Sequence, residues 1–267
     1  TYDANGNRIT HSLPNGVTTN TVFDNANRVT QLENLKDGSL IYTTDYKMDR
    51  VGNRLQITEA RPSGDRILNY TYDKAYRMTG ESDDLSGDTV YTSYTYDDAD
   101  NRISKTDGTT TWNYTVDQLN RVTAMSDGAN TTNYTYDANG NRLTKETGTV
   151  THNYVYDREN RLVSVNDGTD DIFTALYDYR TRRVEKTENG VTINYVYDGG
   201  VNVQEYNATG GSPGSLTKQL IRGTGMGGGI GSVLYTEDAD AQNRAFFVYN
   251  AIGSTVAMTD SSGLVTD

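Results

Sequence analysis

Cysteine is absent from the 267 residues, tryptophan occurs once, histidine twice and proline three times. Without thiols, neither a disulfide framework nor a thiolate metal centre can form, and cysteine usage says nothing about redox compartment. No apolar run reaches the length of a membrane-spanning helix, and there is no signal-peptide pattern. Sustained apolar periodicity of 3.6 residues is missing too, because Gly, Asn, Asp and Thr interrupt every candidate helix. Basic side chains are outnumbered, 24 against 36 acidic ones, giving a formal charge of −12. That balance argues against nucleic acid and against anionic membrane surfaces as electrostatic partners.

Only 34% of the chain is hydrophobic, and four Phe stand beside 21 Tyr. An interior built from this set is lined by phenol rings and Thr, so its hydroxyls need hydrogen-bond partners. The 26 Gly suit a chain full of turns. The stretch from Asn133 to Thr144, NYTYDANGNRLT, shows how these residues are used. In an extended strand Tyr134 and Tyr136 share one face, and Asn133 and Thr135 share the other. Asp137 ends the strand as the first residue of a type I turn, its carboxylate accepting from the N–H two residues on. Gly140 supplies the positive φ that leads into a second strand starting at Arg142.

Near-copies of this unit recur along the chain. Its Asp falls at Asp3, Asp24, Asp49, Asp73, Asp97, Asp117, Asp137, Asp157, Asp178 and Asp198, in steps of 20 to 25 residues. The preceding residue is Tyr2, Phe23, Met48, Tyr72, Tyr96, Val116, Tyr136, Tyr156, Tyr177 or Tyr197, always apolar or aromatic. Two residues earlier stand Tyr46, Tyr70, Tyr94, Tyr114, Tyr134, Tyr154 and Tyr195. An Arg follows the Tyr-Asp pair at two spacings: farther on as Arg8, Arg54, Arg102, Arg142 and Arg183, nearer as Arg28, Arg77, Arg121 and Arg161. This predicts alternating long and short turns, with Gly (Gly6, Gly52, Gly140) or Asn (Asn27, Asn120, Asn160) at the left-handed position. The predicted structural unit is therefore a pair of hairpins.

Roughly midway between these sites lie Asn15-Gly16, Asp37-Gly38, Ser63-Gly64, Ser86-Gly87, Asp107-Gly108, Asp127-Gly128, Asp167-Gly168 and Asn189-Gly190. Most are strong hairpin dipeptides. Each copy thus contributes two strands, and about twenty strands at ~4.8 Å make a ribbon on the order of 95 Å wide. A twisted antiparallel sheet of that width curls. The fold class read from the sequence is all-β: tandem hairpins in one continuous curled sheet. Residues 1–198 form the regular array. Residues 199–267 are a divergent end of the same sheet, with loops at Gly210 to Gly214 and Gly223 to Gly231, strands at Ser232 to Tyr235 and Ala245 to Tyr249, and a degenerate copy at Asn250 to Gly253. Thr1-Tyr2-Asp3 lies inside a copy without its incoming strand, so the chain is expected to be a piece of a larger polypeptide.

The Tyr-Asp…Gly-Asn-Arg unit resembles the YD repeat of the Rhs family. RGTGMGGGIG at Arg222 to Gly231 and YNAIGSTVAMTDSSG at Tyr249 to Gly263 resemble the end of the Rhs core. The resemblance covers essentially the whole chain. It implies a hollow β-shell, which in bacterial polymorphic toxins and insect-toxin complexes holds a C-terminal toxic domain and in teneurins serves cell-surface adhesion. The family's self-cleaving aspartyl motif and variable effector are not in this sequence.

Candidate chemistry is sparse. Gly223 to Gly228 satisfies G-x-G-x-x-G, but no helix follows as a dinucleotide site requires. Asp137 to Asn141 echoes a calcium loop with its Gly at the wrong position, and an Asx turn accounts for it. His11 and His152 sit at strand positions without a nucleophile pattern, and Asp260 reads as part of a turn. Sequons such as Asn113-Tyr114-Thr115 arise because Asn precedes the strand Tyr. No catalytic, cofactor or metal residue is assigned. The expected role is a non-enzymatic wall that encloses or presents a polypeptide, secreted or at a bacterial cell surface. Its expected partners are the rest of the parent polypeptide and a C-terminal toxin. The alternative is an adhesion, saccharide-binding or fibre module that self-associates through exposed strand edges.

Overall fold

The computed structural model describes all residues except 62–63, 86–87, 211–213, 224–232, 240–242, 252 and 267, and the side chains of 85 and 88–90. Ser63, Ser86, Gly87, most of the Gly210 to Gly214 loop, the glycine-rich run after Gly223 and Ile252 therefore lie outside the described residues. No helix occurs among the described residues, and 23 strands are assigned to one antiparallel sheet. Two compact units divide the chain: Thr1–Tyr91 with Lys218–Asp267, and Thr92–Thr217.

In the first unit, β1 (Thr10–Ser12), β2 (Val17–Phe23), β3 (Val29–Lys36), β4 (Ser39–Met48), β5 (Arg54–Ala60), β6 (Arg66–Tyr72) and β7 (Met78–Leu85) pair in sequence order. Strand β8 (Asp88–Tyr96) runs into the second unit. There β9 (Arg102–Asp107), β10 (Thr110–Val116), β11 (Val122–Ser126), β12 (Thr131–Tyr136), β13 (Arg142–Thr147) and β14 (Val150–Tyr156) continue the same order. They are followed by β15 (Leu162–Asn166), β16 (Asp171–Tyr177), β17 (Arg183–Glu188), β18 (Val191–Asp198) and β19 (Val201–Asn207). Strand β20 (Ser215–Arg222) leads back to the first unit, which ends with β21 (Val233–Glu237), β22 (Arg244–Tyr249) and β23 (Thr255–Thr259).

The first unit has a sandwich core. Leu13 just after β1, Val17 of β2, and Ile41 and Tyr42 of β4 pack against Phe246 and Val248 of β22, with Leu234, Tyr235, Val256 and Ala257 around them. Polar groups fix the alignment of the two layers: the Asn15 side-chain amide donates to Thr259 Oγ1 and to the Asp260 carbonyl, both at 3.0 Å. One buried polar pair sits beside this core, where the Tyr42 hydroxyl donates to Glu59 Oε1 at 2.5 Å. Arg61 and Arg66 form ion pairs with the same carboxylate.

The second unit gains stability between neighbours instead. Among the described residues its buried apolar side chains are Val165, Ala175 and Ala208. Its two faces differ as the alternation predicts: Thr132, Tyr134 and Tyr136 are shielded to different degrees, whereas Asn133 and Thr135 are exposed. Across the exposed face, hydroxyl pairs such as Thr135 with Thr144 at 2.7 Å and Thr95 with Ser104 at 2.6 Å tie adjacent strands. Such cross-strand pairs contribute about 0.2 to 1 kcal/mol each.

The long and short turns expected from the Arg spacing are not present. Every Tyr-Asp turn from Asp3 to Asp178 has one length: the Asp N–H donates to the carbonyl four residues on, and the residue three on donates to the Asp carbonyl. The left-handed residue is Gly6, Asn27, Gly52, Tyr76, Asp100, Asn120, Gly140, Asn160 or Thr181. What alternates is the side chain after it, Asn in one class and Arg in the other, and the Asn displaces the Arg by one position. The copy at Asp178 carries both, Arg182 in the turn and Arg183 on the strand. Asp198 also departs from the reading: it pairs with Val201 across a two-residue Gly199-Gly200 hairpin, in place of the five-residue turn. At the other margin Asp37-Gly38 and Asn189-Gly190 both have positive φ at their two residues, as type I′ turns require. A further hairpin at Gly148 and the strand β19 carry no Asx-Gly signal and were not legible in the sequence.

Candidate functional site

The repeated corner is the most elaborate polar structure in the chain. At Asp137, Oδ1 accepts the N–H groups of Asn139 at 2.9 Å and Asn141 at 2.8 Å, and Oδ2 accepts the Asn141 side-chain amide at 2.8 Å. Asp3, Asp49 and Asp97 bind Asn7, Asn53 and Asn101 in the same way. In the other class a guanidinium Nε replaces the amide: Arg28 on Asp24, Arg77 on Asp73, Arg161 on Asp157 and Arg182 on Asp178 at 2.7 Å, and Arg121 on Asp117 at 2.8 Å. These contacts hold the carboxyl groups of Asp3, Asp24, Asp49, Asp73, Asp117, Asp137, Asp157 and Asp178 below their ordinary range. The Asn141 side chain is the leading cause at Asp137, and the backbone N–H of the Arg is the leading cause at Asp24, Asp73 and Asp117. At Asp157 and Asp178 loss of solvent opposes the shift, and the hydrogen bonds outweigh it.

Consecutive corners are joined. From the Asn class, the amides of Asn7, Asn101 and Asn141 donate to the left-handed Asn27, Asn120 and Asn160 of the next corner at 3.0, 2.9 and 2.8 Å. From the Arg class, Nη1 of Arg28, Arg121 and Arg161 donates to the carbonyl of Asp49, Asp137 and Asp178 at 3.0, 3.4 and 3.1 Å, and Arg182 reaches the Gly199 carbonyl. The two classes, which alternate from Asp3 to Asp157, each supply a different link to the next corner. Left-handed Asn is more than a tolerant backbone residue here, since its side chain is the acceptor that closes the link.

Tyrosine and the remaining Arg residues complete the corner. At several corners the Tyr before the Asp reaches back to the previous hairpin: Tyr72 donates to the Arg54 carbonyl at 2.9 Å, Tyr136 to Val122 at 2.6 Å, Tyr177 to Leu162 at 2.9 Å and Tyr197 to Arg183 at 2.9 Å. Burial raises the hydroxyl pKa of Tyr72, Tyr156 and Tyr197. In the Asp-corner hairpins from β2–β3 to β16–β17 for which register is known, a bulge falls at the same place, immediately before the residue that precedes the Asp, as between Thr135 and Tyr136. Strand arginines lie over the inner Tyr row. Arg102 sits 5.4 and 5.1 Å from the centres of Tyr94 and Tyr114, and Arg142 sits 4.9 and 5.5 Å from Tyr134 and Tyr154. Arg54 covers Tyr46 and Arg183 covers Tyr195. Turn arginines cover the ring before the next Asp, Arg121 over Tyr136 and Arg161 over Tyr177.

Within the first unit the corners at Asp3, Asp24 and Asp49 are thus brought together, and within the second those at Asp97, Asp117, Asp137, Asp157 and Asp178. Tyr2 is 67% exposed and bridges Arg8 through the backbone, and Asp198 belongs to a different turn. Residues overlooked in the sequence are the turn asparagines and Arg182, although the Asn is visible beside Arg8, Arg54, Arg102 and Arg142. His11 lies in β1 and His152 in β14. Among the described residues no group of His, Asp or Glu is placed to hold a metal ion. Asn250 and Asp260 make the same five-residue corner as the array, Asp260 with Ser262 on its carboxylate.

The Teneurin YD-shell family matches this chain over residues 1–266. The chain belongs to that family. Crystal structures of TcdB2-TccC3 are also similar to this YD-shell chain. TcdB2-TccC3 without its hypervariable C-terminal region aligns over 99% of the chain with a TM-score of 0.50 at 17% identity. TcdB2-TccC3 gives 0.49 at 17%, and TcdB2-TccC3-TEV gives 0.48 at 16%. At such identity the likeness shows the fold alone. The YD-shell chain spans 17 to 18% of the length of those chains. No curated protein matches it.

Proposed function

We propose that this YD-shell chain is a wall segment, non-enzymatic by itself, of a larger secreted or cell-surface polypeptide, and that the wall encloses a C-terminal toxin or effector. The observation that supports the reading is the linkage of successive corners, in which the recurrent Asp, Asn and Arg side chains are spent on joining hairpin to hairpin. A catalytic site would keep some of these groups free for a substrate. The faces of the second unit fit the same reading. One carries the Tyr rows with Arg102, Arg142 and Arg183, able to meet an unfolded polypeptide through weak, sequence-tolerant contacts, and the other carries hydroxyls. Residues 199–267 are the divergent end of the same wall.

Limited proteolysis of the full-length polypeptide tests enclosure. The segment that follows the shell should resist protease at concentrations that digest it in isolation. Equal cleavage rates in the two settings would refute enclosure, and discrete particles without a protected cargo would favour the adhesion reading.

A further inference from the structure

Three strands of the second unit, β9, β13 and β17, share a second regularity: Lys105, Lys145 and Lys186 stand three residues after Arg102, Arg142 and Arg183. Register puts each Lys on the Tyr face. Lys105 lies across from Tyr94, Lys145 across from Tyr134, and Lys186 across from Ile193, two residues before Tyr195. Two of the three are neutralised by the acid two residues on, Lys105 by Asp107 at 3.0 Å and Lys186 by Glu188 at 2.8 Å. In the middle copy that residue is Thr147, whose hydroxyl is tied to Thr132 at 2.8 Å. The residue across from Lys145 on β14 is His152, which adds no acid.

Among the described residues Lys145 has no ion pair or hydrogen bond, and Arg102, Arg142 and Arg183 have rings but no carboxylate as partners. The remaining acids of β13 and β17 are on the other face, Glu146 across from Asn133 and Glu185 across from Leu176. A chain of formal charge −12 thus presents unneutralised cations on the Tyr face of its second unit. Because β9, β13 and β17 are four strands apart in the sheet, these cations recur every ~19 Å. An extended polypeptide spans that distance in about six residues.

We propose that the Tyr face of the second unit docks an extended acidic segment of the polypeptide that the wall encloses. One carboxylate meets Lys145 and Arg142, and others about six residues to either side meet Arg102 and Arg183. The proposal rests on the enclosure reading for the identity of its occupant. A single-stranded nucleic acid fits this face less well, because base stacking needs open rings and guanidinium groups already lie over Tyr94, Tyr114, Tyr134, Tyr154 and Tyr195. Exposed ion pairs are weak singly, and linkage within one polypeptide supplies the effective concentration at which they count.

Fluorescence anisotropy of labelled 20-residue Gly-Ser peptides, titrated with the intact chain at low salt, tests the charge and the spacing. The expected result is saturable binding of the peptide with Glu at every sixth position, at least fivefold tighter than the peptide with Lys at those positions or with its Glu residues bunched at one end. Lys145→Gln should weaken the spaced Glu peptide at least threefold. Thr147→Glu gives Lys145 the acid that its sister copies have, so it should weaken binding as much while leaving the circular dichroism spectrum unchanged. Absence of binding overturns the proposal, as does equal binding of the Lys peptide, affinity indifferent to both substitutions, or tighter binding of an oligothymidylate of equal charge. If Lys145→Gln fails to fold, Thr147→Glu decides. Loss of peptide binding with the following segment still protected from protease overturns this inference alone, whereas peptide binding without protection refutes enclosure.

Discussion

A reciprocal exchange at two corners measures how far the left-handed turn position limits stability. Gly140 has φ 89°, and nothing lies within 4 Å of a Cβ placed on it. Substitution there reads the backbone term without a clash. Thr181 holds φ 63° in the same place of another corner, a conformation that a β-branched residue rarely adopts. The left-handed region costs an L-residue about 1 to 2 kcal/mol, and losing glycine's freedom in the unfolded chain returns about 0.5 to 1. Gly140→Thr should therefore destabilise by about 1 kcal/mol. Thr181→Gly should stabilise by a smaller amount, about 0.5 kcal/mol, because the Thr181 hydroxyl bond to the Arg180 carbonyl is lost. Asn160→Gly, at φ 59°, should change little beyond the lost side-chain acceptor for Asn139 and Asn141. Urea midpoints at constant m-value, followed by tyrosine fluorescence, give the three differences. A neutral Gly140→Thr together with a destabilising Thr181→Gly would refute the idea that this position is read as backbone strain.

Acid should unfold the array with uptake of several protons. The corner carboxyl groups of Asp3, Asp24, Asp49, Asp73, Asp117, Asp137, Asp157 and Asp178 all titrate below the unfolded value of 3.8. Their contribution is complete above pH 3.8 and is lost as pH falls through the lower folded values, so stability that stayed flat to pH 2 would contradict the corner hydrogen bonds. Tyr136→Phe and Tyr177→Phe each remove one bond to a strand carbonyl and should each cost about 0.5 to 1.5 kcal/mol, additively, in chemical denaturation. Phe246→Ala in the first-unit core should cost about 3 to 5 kcal/mol, visible as loss of protection in hydrogen exchange across β21 to β23. Tyr42→Phe leaves the buried Glu59 oxygen short of a donor and should cost about 1 to 3 kcal/mol, and a double-mutant cycle with Glu59→Gln should show coupling between the two sites.

The position of the corners was legible because each is local. An Asp, two arbitrary residues and a residue tolerant of positive φ close a turn through contacts within five positions. Strand pairing between neighbours followed from the short Gly turns opposite them, and the degenerate corner at Asn250 could be read for the same reason. Even there, spacing alone misled: Arg at two distances suggested two turn lengths, when an inserted Asn had taken over the carboxylate and moved Arg onto the strand.

Linear order determined by itself that this chain is a tandem of antiparallel hairpins with an apolar or aromatic residue and Asp at the recurrent corner, because hydrogen-bonding partners a few residues apart need no further information. Tertiary structure alone decided which corner each Asn and Arg reaches, and that β22 and β23 pack against Leu13, Val17 and Ile41. Those outcomes depend on side chains about 20 to nearly 250 positions apart meeting in space, as Asn101 with Asn120 and Asn15 with Thr259 do. No periodicity within a single strand encodes such a distance.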